Sequence, residues 1–201
     1  MAKIKKLPPV FLSAGIPDPR REKKYIETAD IIAIREAVTA LTQVVAPRGR
    51  LVFGGQPAIS PLVFLAAKSV NSIKKVSIYQ SDFFRDQIPK ESLAFNNFKW
   101  ASAGADRQTS LIKMRKKMLR SQKFGFGIFI GGMEGVEEEY EMFCKSNPNA
   151  KVFPIPTTGA AAKIIFDRSL KTLDQEDKAL LKTEYVYGWL FQKLLGLQDR
   201  E

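Results

Sequence analysis

Short apolar runs alternate along the chain with longer segments in which apolar residues recur every three or four positions. The runs lie at residues 10–12, 51–53, 76–79, 98–100, 126–130 and 152–155. The helical period is clearest over 31–45, where the apolar stripe consists of Ile31, Ile34, Val38, Leu41 and Val45. This alternation predicts an α/β fold: a doubly wound, mostly parallel, Rossmann-like sheet with helices on both faces.

Glycines follow three of the predicted strands. They are Gly15 after the first, Gly54 and Gly55 after the second, and Gly131 and Gly132 after the run at 126–130. A glycine there permits a positive φ, and it lets backbone N–H groups approach a phosphate at the start of the next helix. Tight turns alone also favour glycine. Because ligands of such sheets lie beyond the carboxyl ends of the strands, we expect these glycines to converge on one ligand-binding edge.

The sequence lacks the motifs of two common nucleotide-binding classes. It contains no GxxxxGK[ST] motif and no GxGxxG after its first strand, so neither a P-loop NTPase nor a standard dinucleotide dehydrogenase is supported. The last apolar segment, 177–197, either covers the sheet or forms a dimer seam, and we favour the first. With no repeat, linker or break in composition, we expect a single domain over residues 1–201.

Composition and charge narrow the chemistry. The 201 residues are 45% apolar and 26% charged, with one cysteine, Cys144, and no histidine. An intramolecular disulfide, histidine-based catalysis and the common zinc sites are therefore excluded. The N-terminal residues 1–6 are basic but precede no long apolar segment, so we expect a cytoplasmic protein without a membrane partner. The net charge of +11 favours an anionic partner.

The basic charge is concentrated in one predicted helix. Residues 107–123 hold seven basic residues and no acidic one. Within it Arg115 falls on the apolar face, where a guanidinium needs either a carboxylate of the protein or a phosphate of a ligand. The opposite face carries Lys113, Lys116, Lys117 and Arg120. That face is either simply solvated or contacts nucleic acid, with Phe83, Phe84 or Trp100 available for stacking.

An acidic segment follows the last glycine pair. Residues 134–141 hold five glutamates, of which Glu134, Glu137, Glu138 and Glu141 form one helical stripe. Acidic residues near a helix start are favoured by the helix dipole alone. A carboxylate facing the ligand edge would also hydrogen-bond ribose hydroxyls, or assist cleavage of an N-glycosidic bond.

Two stretches, 111–118 and 126–138, resemble the signature of LOG-type proteins, in which an Arg-Lys helix precedes a strand ending in PGGxGTxxE. Arg115 lies 16 residues before Gly131, and Glu138 lies six residues after Gly132, as in that signature. The resemblance implies that Arg115 binds substrate and that Glu138 is catalytic in a phosphoribohydrolase. It also places the chain in the SLOG superfamily, which includes DNA-processing protein A and ligand-sensing domains of bacterial antiphage systems.

The chain departs from the LOG signature at the phosphate loop. Ile130 replaces the proline, and residues 134–136 replace the Gly-Thr and the following variable residue, which removes the hydroxyl expected to hold a monophosphate. An added carboxylate at Glu134 would also repel a monoester dianion. Residues 11–20 instead resemble the first strand of SLOG domains in bacterial conflict systems, which are thought to recognise signals of the cyclic ADP-ribose type.

These residues and resemblances support three functions. The first is binding or sensing of a nucleotide-derived molecule of the ADP-ribose or cyclic ADP-ribose type. The second is hydrolysis of a nucleoside monophosphate by Arg115 and Glu138. The third is binding of single-stranded nucleic acid.

The expected ligand-binding residues are Ser13, Gly15, Arg20, Gly54, Gly55, Arg107, Arg115, Gly131, Gly132, Met133, Glu134 and Glu138. We expect a homo-oligomer with no cofactor and no protein metal site, although Mg²⁺ could enter with a ligand phosphate.

Overall fold

The computed structural model describes residues 5–88, 90–170 and 173–198. The strands are β1 (Val10–Gly15), β2 (Leu51–Gly54), β3 (Val76–Ser81), β4 (Asn97–Ala101), β5 (Phe126–Gly131) and β6 (Lys151–Ile155). The helices are α1 (Lys23–Ile26), α2 (Ile31–Val45), α3 (Ser60–Ser69), α4 (Lys90–Leu93), α5 (Arg107–Leu119), α6 (Glu134–Ser146), α7 (Ala160–Ser169), α8 (Gln175–Thr183) and α9 (Tyr187–Leu194). The N-terminal stretch 1–6, in which we expect no targeting signal, lies partly outside the described residues.

The strands form one parallel sheet in the order β4-β3-β2-β1-β5-β6. From β1 the chain builds outward through β2, β3 and β4, and then crosses to the other side of β1 to form β5 and β6. The ends of β1 and β5 are therefore neighbours, with Gly15 in register with Gly131. This is the switch point at which doubly wound sheets bind ligands. The predicted α/β fold is confirmed.

Helices cover both faces of the sheet, as the apolar strands require. Along β1, Val10 and Leu12 belong to the cluster that includes α2, α3 and α9, whereas Phe11 belongs to the cluster that includes α5 and α6. Because both faces of this parallel sheet are buried, its strands do not alternate between apolar and polar residues. This is why the apolar runs are continuous in the sequence.

The last apolar segment forms two helices rather than one. Residues 184–186 separate α8 from α9, and α9 packs against α2. Leu190, Phe191 and Leu194 are buried in the same cluster as α2, as expected if this segment covers the sheet instead of forming a dimer seam. Across the described ranges, we find no helix with the length and apolar character needed to cross a membrane.

Candidate functional site

A cleft of about 460 Å³ opens at the carboxyl ends of the central strands. This volume lies within the roughly 300–1,000 Å³ typical of small-molecule sites. Nine of the twelve expected ligand-binding residues line it: Gly15, Gly54, Gly55, Arg107, Arg115, Gly132, Met133, Glu134 and Glu138. Ser13, Arg20 and Gly131 do not line it. The cleft therefore brings together residues from the ends of β1, β2 and β5 with residues of α5 and α6.

Arg115 is held inside the wall of the cleft by carboxylates of α6. The residue is only 5% exposed, although it lies on a helix whose other basic residues face solvent. Its Nη1 pairs with Glu138, and its Nε donates to Glu139 Oε1 at 3.3 Å. A capping box formed by Asp106 and Thr109 fixes the start of α5 and so the position of Arg115 along the helix. Of the two kinds of partner considered for Arg115, a protein carboxylate or a ligand phosphate, the structure shows the carboxylate.

Glu139 contacts Arg115 but was not among the site residues predicted from the sequence. Its side chain is 14% exposed and lines the cleft, with Oε1 accepting from Arg115 and Oε2 accepting from Ser13 Oγ at 2.7 Å. A signal was present in the sequence, because Glu139 lies three residues after Val136 and four before Phe143, both buried positions of the apolar stripe. A carboxylate there is the counterpart of an arginine on the apolar face of α5.

The loop after β1 contributes a different arginine from the one expected. Arg20 is 87% exposed at its side chain and pairs with Asp18, outside the cleft lining. The Arg20 guanidinium and backbone N–H, both bonded to Asp18, lower the pKa of that carboxyl to about 2. Arg21 instead lines the cleft and pairs with Glu134 at the start of α6. The sequence offered no means of choosing between adjacent arginines in a loop.

The glycine pair after β5 serves the turn rather than offering its own amides to a ligand. Both residues have positive φ, +54° for Gly131 and +82° for Gly132. The Gly131 N–H donates to Thr158 Oγ1 at 2.9 Å, and the Gly132 N–H donates to the Gly15 carbonyl at 2.7 Å. The turn delivers the chain to α6, whose N-terminus at Met133 lines the cleft and has no side-chain cap. The helix start is therefore the better-placed anion-binding element.

The basic face of α5 is partly occupied by contacts within the protein. Lys113 Nζ donates to the Ala103 carbonyl at 3.1 Å, and Lys117 Nζ donates to the Trp100 carbonyl at 2.6 Å. The Arg85 guanidinium lies 4.0 Å from the centre of the Trp100 ring and occupies one face of it. Of the aromatic residues considered for stacking, Phe84 lines the cleft, whereas Phe83 does not.

Charged residues of both signs line the cleft, and the acidic ones slightly outnumber the basic ones. Four carboxylates line the cleft beside three arginines, a balance that contrasts with the +11 charge of the chain; they belong to Asp18, Glu134, Glu138 and Glu139. Within the ranges that the structure describes, no group of three or more cysteine, aspartate or glutamate residues is arranged to hold a metal ion.

Comparison with known families places most of the chain in one family. A family model described as the SLOG cluster3 family matches residues 24–195, which includes every strand after β1. No curated protein matches the chain. The match extends over most of the sequence and contains both α5 and α6. The chain therefore belongs to the SLOG cluster3 family, and this membership supports a nucleotide-related binding or processing role.

Proposed function

We propose that the protein binds a nucleotide-derived molecule of the ADP-ribose or cyclic ADP-ribose type in the cleft, and so acts as a ligand sensor. One observation carries this proposal. Arg107, Arg115 and the start of α6, which has no side-chain cap, all line one cleft together with several carboxylates, and this cleft lies at the switch point of the sheet. Arginines and helix N-termini bind phosphates. Carboxylates accept hydrogen bonds from ribose hydroxyls.

The cleft also offers apolar surface for a base. Phe84, Leu111 and Met114 line it; Phe84 follows β3, and the other two lie on α5. Flat apolar and aromatic walls with a few placed polar groups are typical of small-molecule sites. A nucleotide-derived ligand would place its base against this wall and its phosphates toward α6.

The start of α6 favours a sensor over a monophosphate hydrolase. Glu134 occupies the position at which the LOG signature has glycine, and its carboxylate pairs with Arg21. A terminal phosphate dianion placed there would meet this carboxylate at short range. A phosphodiester or pyrophosphate carries less charge per phosphate, so the cleft suits an internal phosphate better. The antiphage role that residues 11–20 imply by resemblance is consistent with such a sensor.

Thermal unfolding in the presence of AMP, ADP, ADP-ribose, NAD and cyclic ADP-ribose isomers tests this proposal. A ligand at 100 times its Kd raises the free energy of unfolding by about 2.7 kcal/mol, because it binds only the native state. We expect the largest shift with a pyrophosphate or cyclic ligand, and a smaller one in Arg107→Ala. Arg120→Ala is the matched control, since Arg120 lies just past the end of α5 and does not line the cleft. Unchanged melting with every ligand would reject the proposal.

Hydrolysis of a nucleoside monophosphate is the second candidate function, and one observation favours it. Arg115 and Glu138, the pair that the LOG resemblance implicates in catalysis, are in direct contact and both line the cleft. Glu138 is 44% exposed at its side chain, so it is accessible to a substrate. Chromatography of each ligand mixture after incubation tests for released base. Free base formed by the parent and not by Glu138→Gln would establish hydrolysis, whereas intact ligand would leave the sensor as the function.

A further inference from the structure

The two glutamates that hold Arg115 differ in how firmly they are fixed. Glu139 is 14% exposed at its side chain, and both of its oxygens are engaged, one by Ser13 and one by Arg115. Glu138 is 44% exposed, and one of its oxygens pairs with Arg115. Ser13 is itself buried and lies in β1, which is paired with a strand on each side, so Glu139 is anchored to the interior of the sheet.

The two glutamates also use different parts of the guanidinium. Glu139 accepts from Nε, and Glu138 accepts from Nη1. Nη2 lies 3.4 Å from the Gly135 carbonyl, a contact about as long as the 3.3 Å from Nε to Glu139. Nη1 and Nη2 face the more exposed Glu138 and a backbone carbonyl, whereas Nε faces the anchored Glu139, so the outer N–H groups are the ones that an oxyanion could take over. Carboxylate and phosphate oxygens have similar acceptor geometry toward arginine, so one can replace the other without moving the guanidinium.

We propose that Glu139, anchored by Ser13, is a positioning residue that fixes Arg115 through Nε, and that a ligand phosphate binds by displacing Glu138 from Nη1. This inference rests on the proposed function. Glu139 supplies the permanent counter-charge that a buried guanidinium requires before and after binding. Glu138 supplies a second counter-charge only until the ligand binds. Once displaced from Arg115, the Glu138 carboxylate can contact a ribose hydroxyl of the same ligand.

Opposite effects of two neighbouring substitutions test the inference. In Glu138→Gln the competing carboxylate is lost, so we expect ADP-ribose to bind about threefold tighter or more by calorimetry. In Glu139→Gln and Ser13→Ala, Arg115 loses its orientation, so we expect weaker binding, by about tenfold for Glu139→Gln. Glu141→Gln, an exposed change on the same helix, is the control and should match the parent. Weaker or unchanged binding in Glu138→Gln would overturn the inference.

A measurement without ligand separates this inference from the proposed function. The Nε–H signal of Arg115 in a ¹⁵N–¹H NMR spectrum can be assigned by its loss in Arg115→Lys. We expect this proton to exchange slowly in the parent and in Glu138→Gln, and much faster in Glu139→Gln and Ser13→Ala. If the parent binds no nucleotide while this pattern holds, the proposed function fails and the positioning role of Glu139 stands. Equal exchange in all variants would overturn that role whatever the protein binds.

Discussion

Ser13 Oγ donates to Glu139 Oε2 at 2.7 Å, and this bond joins two residues that are 126 positions apart in the chain. It links β1 to α6, the helix that carries Glu134, Glu138 and Glu139 of the cleft. Through the other oxygen of Glu139 the link continues to Arg115 of α5. Three elements that meet at the switch point are thus connected by one chain of polar contacts.

Replacing Arg115 with methionine should destabilise the fold, because it leaves two carboxylates without their shared cation. Removing one partner of a buried ion pair costs about 3–5 kcal/mol, and the exposure of Glu138 reduces this to an expected loss of about 2–3 kcal/mol in the free energy of unfolding. Urea unfolding of the parent and the variant measures this loss. The double variant Arg115→Met/Glu139→Leu should regain part of the loss, since no charge then remains buried. A double variant no more stable than the single one would contradict this account.

Much of the fold could be predicted because it depends on local patterns. Apolar runs of strand length, the helical stripe of 31–45 and the glycines at strand ends each report on their own neighbourhood. The partners of cleft residues could not be predicted in the same way. That Arg115 meets Glu139, or that Arg21 rather than Arg20 faces the cleft, depends on how two helices and a loop are rotated toward each other.

The glycine turn after β5 also combines a feature that the sequence predicts with contacts that it does not. Its position and its need for positive φ follow from the sequence, and the structure has both residues in that region. The use of its amides does not follow, because Thr158 and the Gly15 carbonyl come from other parts of the chain. An amide that looks free in a motif is bonded once the neighbouring strand and loop are in place.

Gly132→Ala should destabilise the protein strongly. Its φ of +82° is unfavourable for alanine, and an added Cβ would lie 2.2 Å from Val136 Cγ2. We expect a loss of about 2 kcal/mol or more in the free energy of unfolding. Gly188→Ala in α9 is the matched control: its Cβ would meet no atom within 4 Å, so we expect a gain of about 0.5–1 kcal/mol. Chemical denaturation of both variants gives the comparison, and equal stabilities would contradict the role assigned to the turn.

Phe84→Ala should weaken ligands that contain a base and leave simple sugar phosphates unaffected. Stacking of a base on an aromatic ring contributes about 1–3 kcal/mol, so the Kd for ADP-ribose should rise by about one order of magnitude. Ribose 5-phosphate, which has no base, should bind the variant as it binds the parent. Phe83→Ala is the comparison: Phe83 does not line the cleft, but its ring packs edge-on against that of Phe84, so any loss that it causes measures support of the Phe84 ring and not contact with a base. Equal losses for both ligands would mean that Phe84 supports the cleft wall instead of contacting a base.

Alkaline pH should destabilise the protein through two buried tyrosines. Burial, reinforced for Tyr25 by its hydrogen bond to Glu137, raises the pKa of Tyr25 to about 12, and burial raises the pKa of Tyr187 to about 12. The unfolded chain loses these protons near pH 10, while the folded protein keeps them. Because the unfolded state then binds fewer protons, the free energy of unfolding should fall between pH 10 and pH 12.

Tyr25→Phe separates the two contributions. The variant loses the 2.6 Å hydrogen bond from the Tyr25 hydroxyl to Glu137, a bond to a charged acceptor that contributes about 1.5–3 kcal/mol, so it should be less stable at pH 7. Its stability should then fall less steeply than the parent's above pH 10, because the contribution of Tyr25 is lost while that of Tyr187 remains. Urea unfolding at pH 7, 10 and 12 measures both effects, with the exposed Tyr185→Phe as control. A variant as steep as the parent would show that Tyr25 ionises equally in both states, and its buried hydroxyl would then have no part in the alkaline transition.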